Sequence, residues 1–460
     1  MAELVWKGKY VEGRRVQPSR VPLPVRTDEV QFADDAAAAA SDANRLLLGD
    51  VSRTLPALLP DLEGRVALVY VDPPFDTGER FDFQATIPGA PDDAPRIAVP
   101  AYDDARGLER WLGWFSDTAW LVKDLLAEGG SLYVHLDAHA AHYAKVILDE
   151  VFGAAAFQRE IVWRIGWISG FKSKARGWIR NHDTILFYAK GGRPRTFNKE
   201  YVPYPEGYVR RDGSLPRGAG YPIEDVWNAS DVDRLDSIQI MSFSGEKVGY
   251  PTQKNEALVA RIVRASSEPG DVVLDCFAGS GTTAVVAEKL GRRWICADVA
   301  PIAVHTARKR LLGLGARGKP PRPFVVQSVG PEPAPAVTRH VQAIVSARGP
   351  DVTIELAAFA VEGDFAGGAR GSVSHWSQLL EGWCVDWDYR GGPLHARSRA
   401  WRVARGRDAG LPLALSHAYD RGGRYEAAVR AFDILGGSAT TRLAIDVAEL
   451  DPGIGRPGRA

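Results

Sequence analysis

Apolar runs broken by glycine and proline lay out the plan of the chain. Val66-Ala67-Leu68-Val69-Tyr70-Val71 is continuously apolar, the pattern of a strand buried on both faces, and it delivers Asp72 at its carboxyl end. Shorter runs predict strands at Leu46–Leu48, Ser131–Leu136, Gln158–Arg164, Thr184–Tyr188, Val272–Leu274 and Trp294–Ala297. Helical spacing appears from Leu108 to Leu126, with Trp111, Phe115, Ala119, Val122 and Leu126 on one face and Gly129-Gly130 as the stop. Further helices are predicted at His139–Phe152, Ala257–Ala265, Thr283–Leu290 (ended by Gly291) and Ala303–Leu312. Strands alternating with helices argue an α/β fold with a doubly wound parallel sheet.

The two ends read differently. Residues 1–40 mix Pro, Arg and Val and read as an arm, with a helix starting near Asp34 or Asp35. Gly313 to Pro335 is rich in Pro and Gly and reads as a linker. Beyond it, Val352–Phe359, Glu381–Trp387, Ser398–Val403, Tyr425–Phe432 and Thr441–Val447 look like strands separated by Gly and Asp turns, the pattern of a small all-β sandwich. The expected division is an arm over 1–40, a catalytic half over 41–158, a recognition region over 159–247, a cofactor half over 248–315, a linker over 316–345 and a β-sandwich over 346–460.

Length and charge narrow the picture. At 460 residues the chain is too long for one core. Its 57 basic and 57 acidic residues cancel, so any attraction to nucleic acid must be local. Residues 159–217 supply such a place, with thirteen Lys or Arg against five Asp or Glu, interleaved with Trp163, Trp167, Phe171, Trp178, Tyr188, Phe197, Tyr201, Tyr204 and Tyr208. Arg164, Lys172, Lys174, Arg176 and Arg180 are the candidate DNA contacts. Three cysteines with no ligand spacing fit a reducing cytosol, and no apolar run approaches the ~20 residues of a membrane span. His135, His139, His142 and His182 make no convincing metal set.

Two short motifs carry the chemistry. Asp72-Pro73-Pro74-Phe75 comes first, and Asp275-Cys276-Phe277-Ala278-Gly279-Ser280-Gly281-Thr282-Thr283 follows about two hundred residues later. In the second, glycines let backbone approach a ligand and the next helix offers free N–H groups. No Gly-Lys-Ser/Thr follows, which excludes a phosphate loop, and a third glycine is missing for a dinucleotide fingerprint. A nucleoside with an amino-acid tail suits the turn, with Asp298 placed to accept from ribose hydroxyls. In the first motif a carboxylate and a carbonyl, from Asp72 and Pro73, would each accept an N–H of a base amine and free its lone pair. Two prolines fix the backbone, and Phe75 offers a face on which a base taken out of the duplex stacks.

On these residues the chain resembles the β-class DNA amino-methyltransferases, close to the methylation subunits of type III restriction systems. The likeness runs from about Arg45 to Leu312. It takes in Leu48-Gly49-Asp50, Asp72 to Gly78, Leu125 to Asp137, Glu150 to Gly153, Asn181 to Lys190 and Val248-Gly249-Tyr250-Pro251-Thr252-Gln253-Lys254. It implies a circularly permuted Rossmann-like sheet in which the catalytic motif precedes the cofactor motif. It also implies S-adenosylmethionine bound by Asp275, Phe277, Ala278, Gly279, Ser280, Gly281 and Thr282, with Asp298 on the ribose. Thr252, Gln253 and Lys254 would lie near the methionine end and Asp50 near the adenine. Asp at residue 72 is similar to the adenine-modifying members; cytosine-amine enzymes more often carry Ser. Asn255 stands where the family usually has Pro, which predicts a less rigid loop before the helix. The tail, from Trp383-Cys384-Val385-Asp386-Trp387 and His417-Ala418-Tyr419 to Asp433, resembles a polycystic-kidney-type, immunoglobulin-like module.

The expected activity is transfer of a methyl group from S-adenosylmethionine to the N6 amine of adenine in DNA by a cytoplasmic protein. The alternatives are the N4 amine of cytosine and a catalytically silent DNA-recognition subunit. Methylation of a protein glutamine fits poorly, because that chemistry resembles sequences with Asn before Pro-Pro. Candidate partners are DNA, a restriction nuclease or helicase subunit and a second copy of the chain.

Overall fold

The computed structural model describes residues 2–32, 42–91, 93–166, 176–228, 246–315, 318–330, 337–363, 369–402 and 410–448. The helix expected near Asp34 lies outside them. The chain divides into two compact units: one of Met1–Val25, Asn44–Asp82 and Pro100–Ala307, the other of Arg26–Ala43, Phe83–Val99 and Arg308–Ala460.

The first unit is a large mixed sheet with helices. Its strands are β1 (Asn44–Leu48), β2 (Val66–Val71), β3 (Leu126–Leu136), β4 (Phe157–Arg164), β5 (His182–Ala189), β6 (Val226–Trp227), β7 (Val272–Asp275) and β8 (Arg293–Asp298). They lie in the order β6-β4-β5-β3-β2-β7-β8-β1. From β3 to β1 every pairing is parallel; β5 runs antiparallel to both β3 and β4. All six residues of β2 are buried, as a central parallel strand covered on both faces requires. The sheet therefore delivers the carboxyl ends of β2, β7, β8 and β1 to one edge, although the chain visits them far apart. Leu68 faces Val273 and Val69 faces Leu274, so the strands leading to Asp72 and Asp275 are direct neighbours.

The helices are α1 (Val51–Leu62), α2 (Leu108–Leu125), α3 (Ala141–Phe152), α4 (Glu256–Ser266), α5 (Thr282–Lys289) and α6 (Pro301–Gly315). The helix α1 is not among the predicted elements, and within it Pro56 and Pro60 each remove a helical N–H. Asp50 caps it, and burial of Leu55, Leu58, Leu59 and Leu62 outweighs the two losses. Gly129-Gly130 is not the stop of α2. The helix ends at Leu125 because Leu126 turns extended and runs straight into β3. The glycines lie inside β3, where Gly129 takes φ +70° beside an irregular register with β2.

In the second unit one sheet joins β10 (Thr338–Arg348), β11 (Asp351–Glu362) and β15 (Ala414–Ala418). Another joins β14 (Ser398–Trp401), β12 (Leu380–Asp386), β16 (Gly423–Asp433) and β17 (Ser438–Val447). Val352, Ile354, Trp383, Val385, Ala427 and Val429 share one buried core between them. Two expectations need correction. Residues 316–345 are not a plain linker: Phe324–Val329 forms the largely buried strand β9, and β10 begins at Thr338. Prolines on either side hid the apolar Phe324-Val325-Val326. Nor is 1–40 all arm, because Val25–Gln31 is a strand whose last residues are buried, paired in parallel with β13 (Leu394–Ala396). Among the described residues no helix is long and apolar enough to cross a membrane.

Candidate active site

The shared edge of β2, β7, β8 and β1 opens into a cavity of about 320 Å³ within the first unit. Asp72, Pro73, Pro74 and Phe75 line it, and so do Asp275, Phe277, Ala278, Gly279, Ser280, Thr282 and Asp298. Asp50, Thr252, Gln253 and Lys254 complete the expected set, and only Gly281 of the two motifs' candidates stands behind the wall.

The glycine turn is held from within. Asp275 accepts from the Phe277 N–H at 2.9 Å and from the Thr283 hydroxyl at 2.6 Å. Both its oxygens thus fasten the loop, so Asp275 shapes the turn. Asp298 accepts from Gly279 N–H at 2.8 Å and Ala300 N–H at 2.9 Å. Burial pushes Asp275 up to about 7 and Asp298 up to about 6, against the pull of those same hydrogen bonds. Gly281 takes φ +76°, and a Cβ there would stand 2.5 Å from the Ala307 side chain. Its role is close packing of the turn on α6.

The catalytic candidate is fastened from several sides. Trp111 on α2 donates its indole N–H to the Pro74 carbonyl at 2.7 Å. Asp104 accepts from the Asp76 N–H (2.7 Å), the Thr77 N–H (3.2 Å) and the Thr77 hydroxyl (2.7 Å), clamping the segment that follows Phe75. One oxygen of Asp72 pairs with the Lys254 ammonium. The other, Oδ1, is buried with no hydrogen-bond partner among the described residues. Lys254 thus sits on the candidate carboxylate. The Gln253 amide ties the Val248 N–H and the Glu246 carbonyl within its own loop.

Behind Phe75 lies a group that sequence reasoning missed. His135 is fully buried and stacks on Phe75 with ring centroids 6.5 Å apart and planes at 20°. Its Nδ1 lies 3.1 Å from the Tyr70 hydroxyl and its Nε2 lies 3.3 Å from Asp183. Burial alone would raise Asp183; the His135 hydrogen bond, with Lys254 and Arg180 nearby, outweighs it and holds the carboxyl below its ordinary value. Spacing tests the histidines only as metal ligands, a signal that says nothing about stacking. Arg106, Trp114 and Tyr102 also line the cavity and carry no motif by which spacing could find them, whereas Tyr250 lies within the run from Val248 to Lys254. Asn255 caps α4 by accepting from the Ala257 N–H at 2.6 Å and is fully buried, so the loop that was expected to loosen without Pro is fastened by a cap.

The expected DNA contacts fare unevenly. Arg164, at the end of β4, and Arg176 are exposed. Arg180 is held between Asp183 and Asp137, the latter at 3.6 Å. Lys172 and Lys174 lie outside the described residues.

Residues 66–309 match the N6/N4 methyltransferase family model, described as DNA methylase. The type II methyltransferase M.HpaI of Haemophilus parainfluenzae is 29% identical over 262 residues, which is 56% of this chain and 72% of the relative. M1.MboII of Moraxella bovis is 33% identical over 196 residues, 39% of this chain and 72% of the relative. Among solved structures, the M1.HpyAVI–SAM complex is 21% identical and covers 58% of this chain and 98% of its own, at a TM-score of 0.37. With more than half its length matched, the chain belongs to the N6/N4 DNA methylase family, whose methyl donor is S-adenosylmethionine.

Proposed function

We propose that this DNA methyltransferase acts on the N6 amine of adenine, flipped out of the duplex into the cavity at the tip of β2. The observation that carries the reading is the Asp72 carboxylate: one oxygen is fixed by Lys254 and the other is buried, unpartnered and at the wall of the same cavity as the glycine turn. A buried acceptor without a donor is costly, and an exocyclic amine supplies the missing donor. Asp72 Oδ1 accepts one amine N–H and the Pro73 carbonyl accepts the other, which draws the nitrogen toward pyramidal geometry and exposes its lone pair. Phe75, backed by His135, stacks on the base. S-adenosylmethionine supplies the electrophilic methyl group. The cavity suits it: Asp298 offers carboxylate acceptors to ribose hydroxyls, and the turn from Phe277 to Thr282 lines the wall. What the protein contributes is chiefly positioning and fixed charge.

The choice of adenine rests on Asp at residue 72. Digestion of DNA methylated by the purified chain and mass spectrometry of its nucleosides tests it: N6-methyladenine is expected, and N4-methylcytosine would transfer the same mechanism to the other base. Binding of DNA and methyl donor without turnover on any duplex would leave a recognition subunit only. We read the setting as restriction-modification, with the closer tie to type III subunits, a separate nuclease or helicase and self-pairing as parts of that reading. The order of β2 before β7 is read as the permuted form of the sheet, and the second unit's strands as the immunoglobulin-like module its motifs suggested.

A further inference from the structure

Six aspartates line the cavity: Asp50, Asp72, Asp103, Asp104, Asp275 and Asp298. Among the lining residues only Lys254 and Arg106 are cations. Lys254 is committed to Asp72. Among the described residues Arg106 makes no ion pair. Its guanidinium lies 4.5 Å from the centre of the Trp114 ring, and its buried Nε has no hydrogen-bond partner among the described residues. Trp114 in turn meets Phe277 of the glycine turn edge-on, with centroids 5.4 Å apart. Stacking therefore holds a planar cation beside the turn with its buried Nε donor unused.

Chemistry says what those donors want. A buried cationic donor without an acceptor is unfavourable, and a guanidinium fork matches a carboxylate through two parallel hydrogen bonds. S-adenosylmethionine carries a sulfonium, an ammonium and one carboxylate. The aspartates suit its two cations, and Arg106 suits its one anion. A phosphate of the target nucleotide has similar appeal to a guanidinium, but the Trp114 platform sits against the cofactor turn.

We propose that Arg106, held flat by Trp114, receives the α-carboxylate of the donor's methionine tail. This rests on reading the cavity as the methyl-donor site and goes beyond it by naming the anchor. The test is equilibrium binding, by calorimetry on the full chain without DNA, of S-adenosylmethionine and of its decarboxylated analogue. Arg106→Ala is expected to lose about ten- to a hundredfold in affinity for the carboxylated ligand and to keep wild-type affinity for the decarboxylated one. Arg106→Lys, which keeps charge and bulk, is expected to recover part of the loss and guards against a merely misfolded variant. Equal weakening toward both ligands, or unchanged affinity for S-adenosylmethionine, overturns the assignment. So does a loss confined to duplex affinity, which would give Arg106 to a phosphate. Failure of the wild type to bind either ligand would sink the methyl-donor reading itself, and this proposal with it.

Discussion

Asp72 divides its two oxygens between a fixed partner and a vacant role, and Lys254 is the residue that makes the division. The pair is mostly buried, with 12% of the Lys254 side chain and 16% of the Asp72 side chain exposed. Removing one partner leaves the other charge poorly compensated, whereas removing both does not. Lys254→Met should therefore lower stability by about 1–3 kcal/mol, less than the full buried-pair value because both groups touch solvent. Adding Asp72→Asn should restore most of it, as measured by urea unfolding in a double-mutant cycle. Additive losses would show that the pair is not coupled. Asp298 carries a prediction of opposite sign to ordinary acid denaturation. Burial raises it to about 6, so the folded state favours its protonated form. That contribution is complete below the unfolded carboxylate range, near pH 4, and is lost as pH rises through about 6. Without cofactor it is on the order of 3 kcal/mol. Asp298→Asn should flatten the fall in stability between about pH 4 and pH 6; an unaltered slope there would contradict the assignment. At this scale Asp72 and Asp298 were legible because each ends an apolar run. His135 and Arg106 were not, because their meaning lies in a stacked ring that no spacing encodes.

At the scale of elements, the loop after β2 has to hold two prolines and a phenylalanine against the turn after β7. Asp104 does this with one carboxylate, taking three donors from Asp76 and Thr77, while Trp111 of α2 takes the Pro74 carbonyl. Asp76 sits at φ +61°, a conformation that needs such support. Asp104→Ala should slow methyl transfer roughly tenfold or more, in line with the sensitivity of rate to misplacement of a positioned group, and leave donor affinity within a few-fold. A variant with wild-type turnover would show that the clamp is dispensable. The parallel core was readable element by element, since buried strands announce themselves as apolar runs. Two misreadings share a cause: Gly129-Gly130 and the prolines around β9 read as breaks, where burial of neighbouring apolar side chains prevails.

For the molecule as a whole, balanced charge leaves duplex attraction to local exposed cations such as Arg164 and Arg176. Replacing both by alanine should weaken duplex binding across sequences and reduce the slope of log affinity against log salt by about 2. An unchanged slope would remove them from the interface. The adjacency of β2 and β7 is a tertiary fact; the sequence pointed to it through the order of its motifs, and the register of Leu68 with Val273 supplies it. On that adjacency stands the claim that the β2 tip does chemistry on an amine beside the cofactor turn. Single-turnover transfer of labelled methyl from S-adenosylmethionine to duplex DNA, comparing wild type with Asp72→Ala, tests it most directly. A drop of about a hundredfold or more is expected in the variant, with donor binding retained. Transfer at the wild-type rate by Asp72→Ala would contradict it.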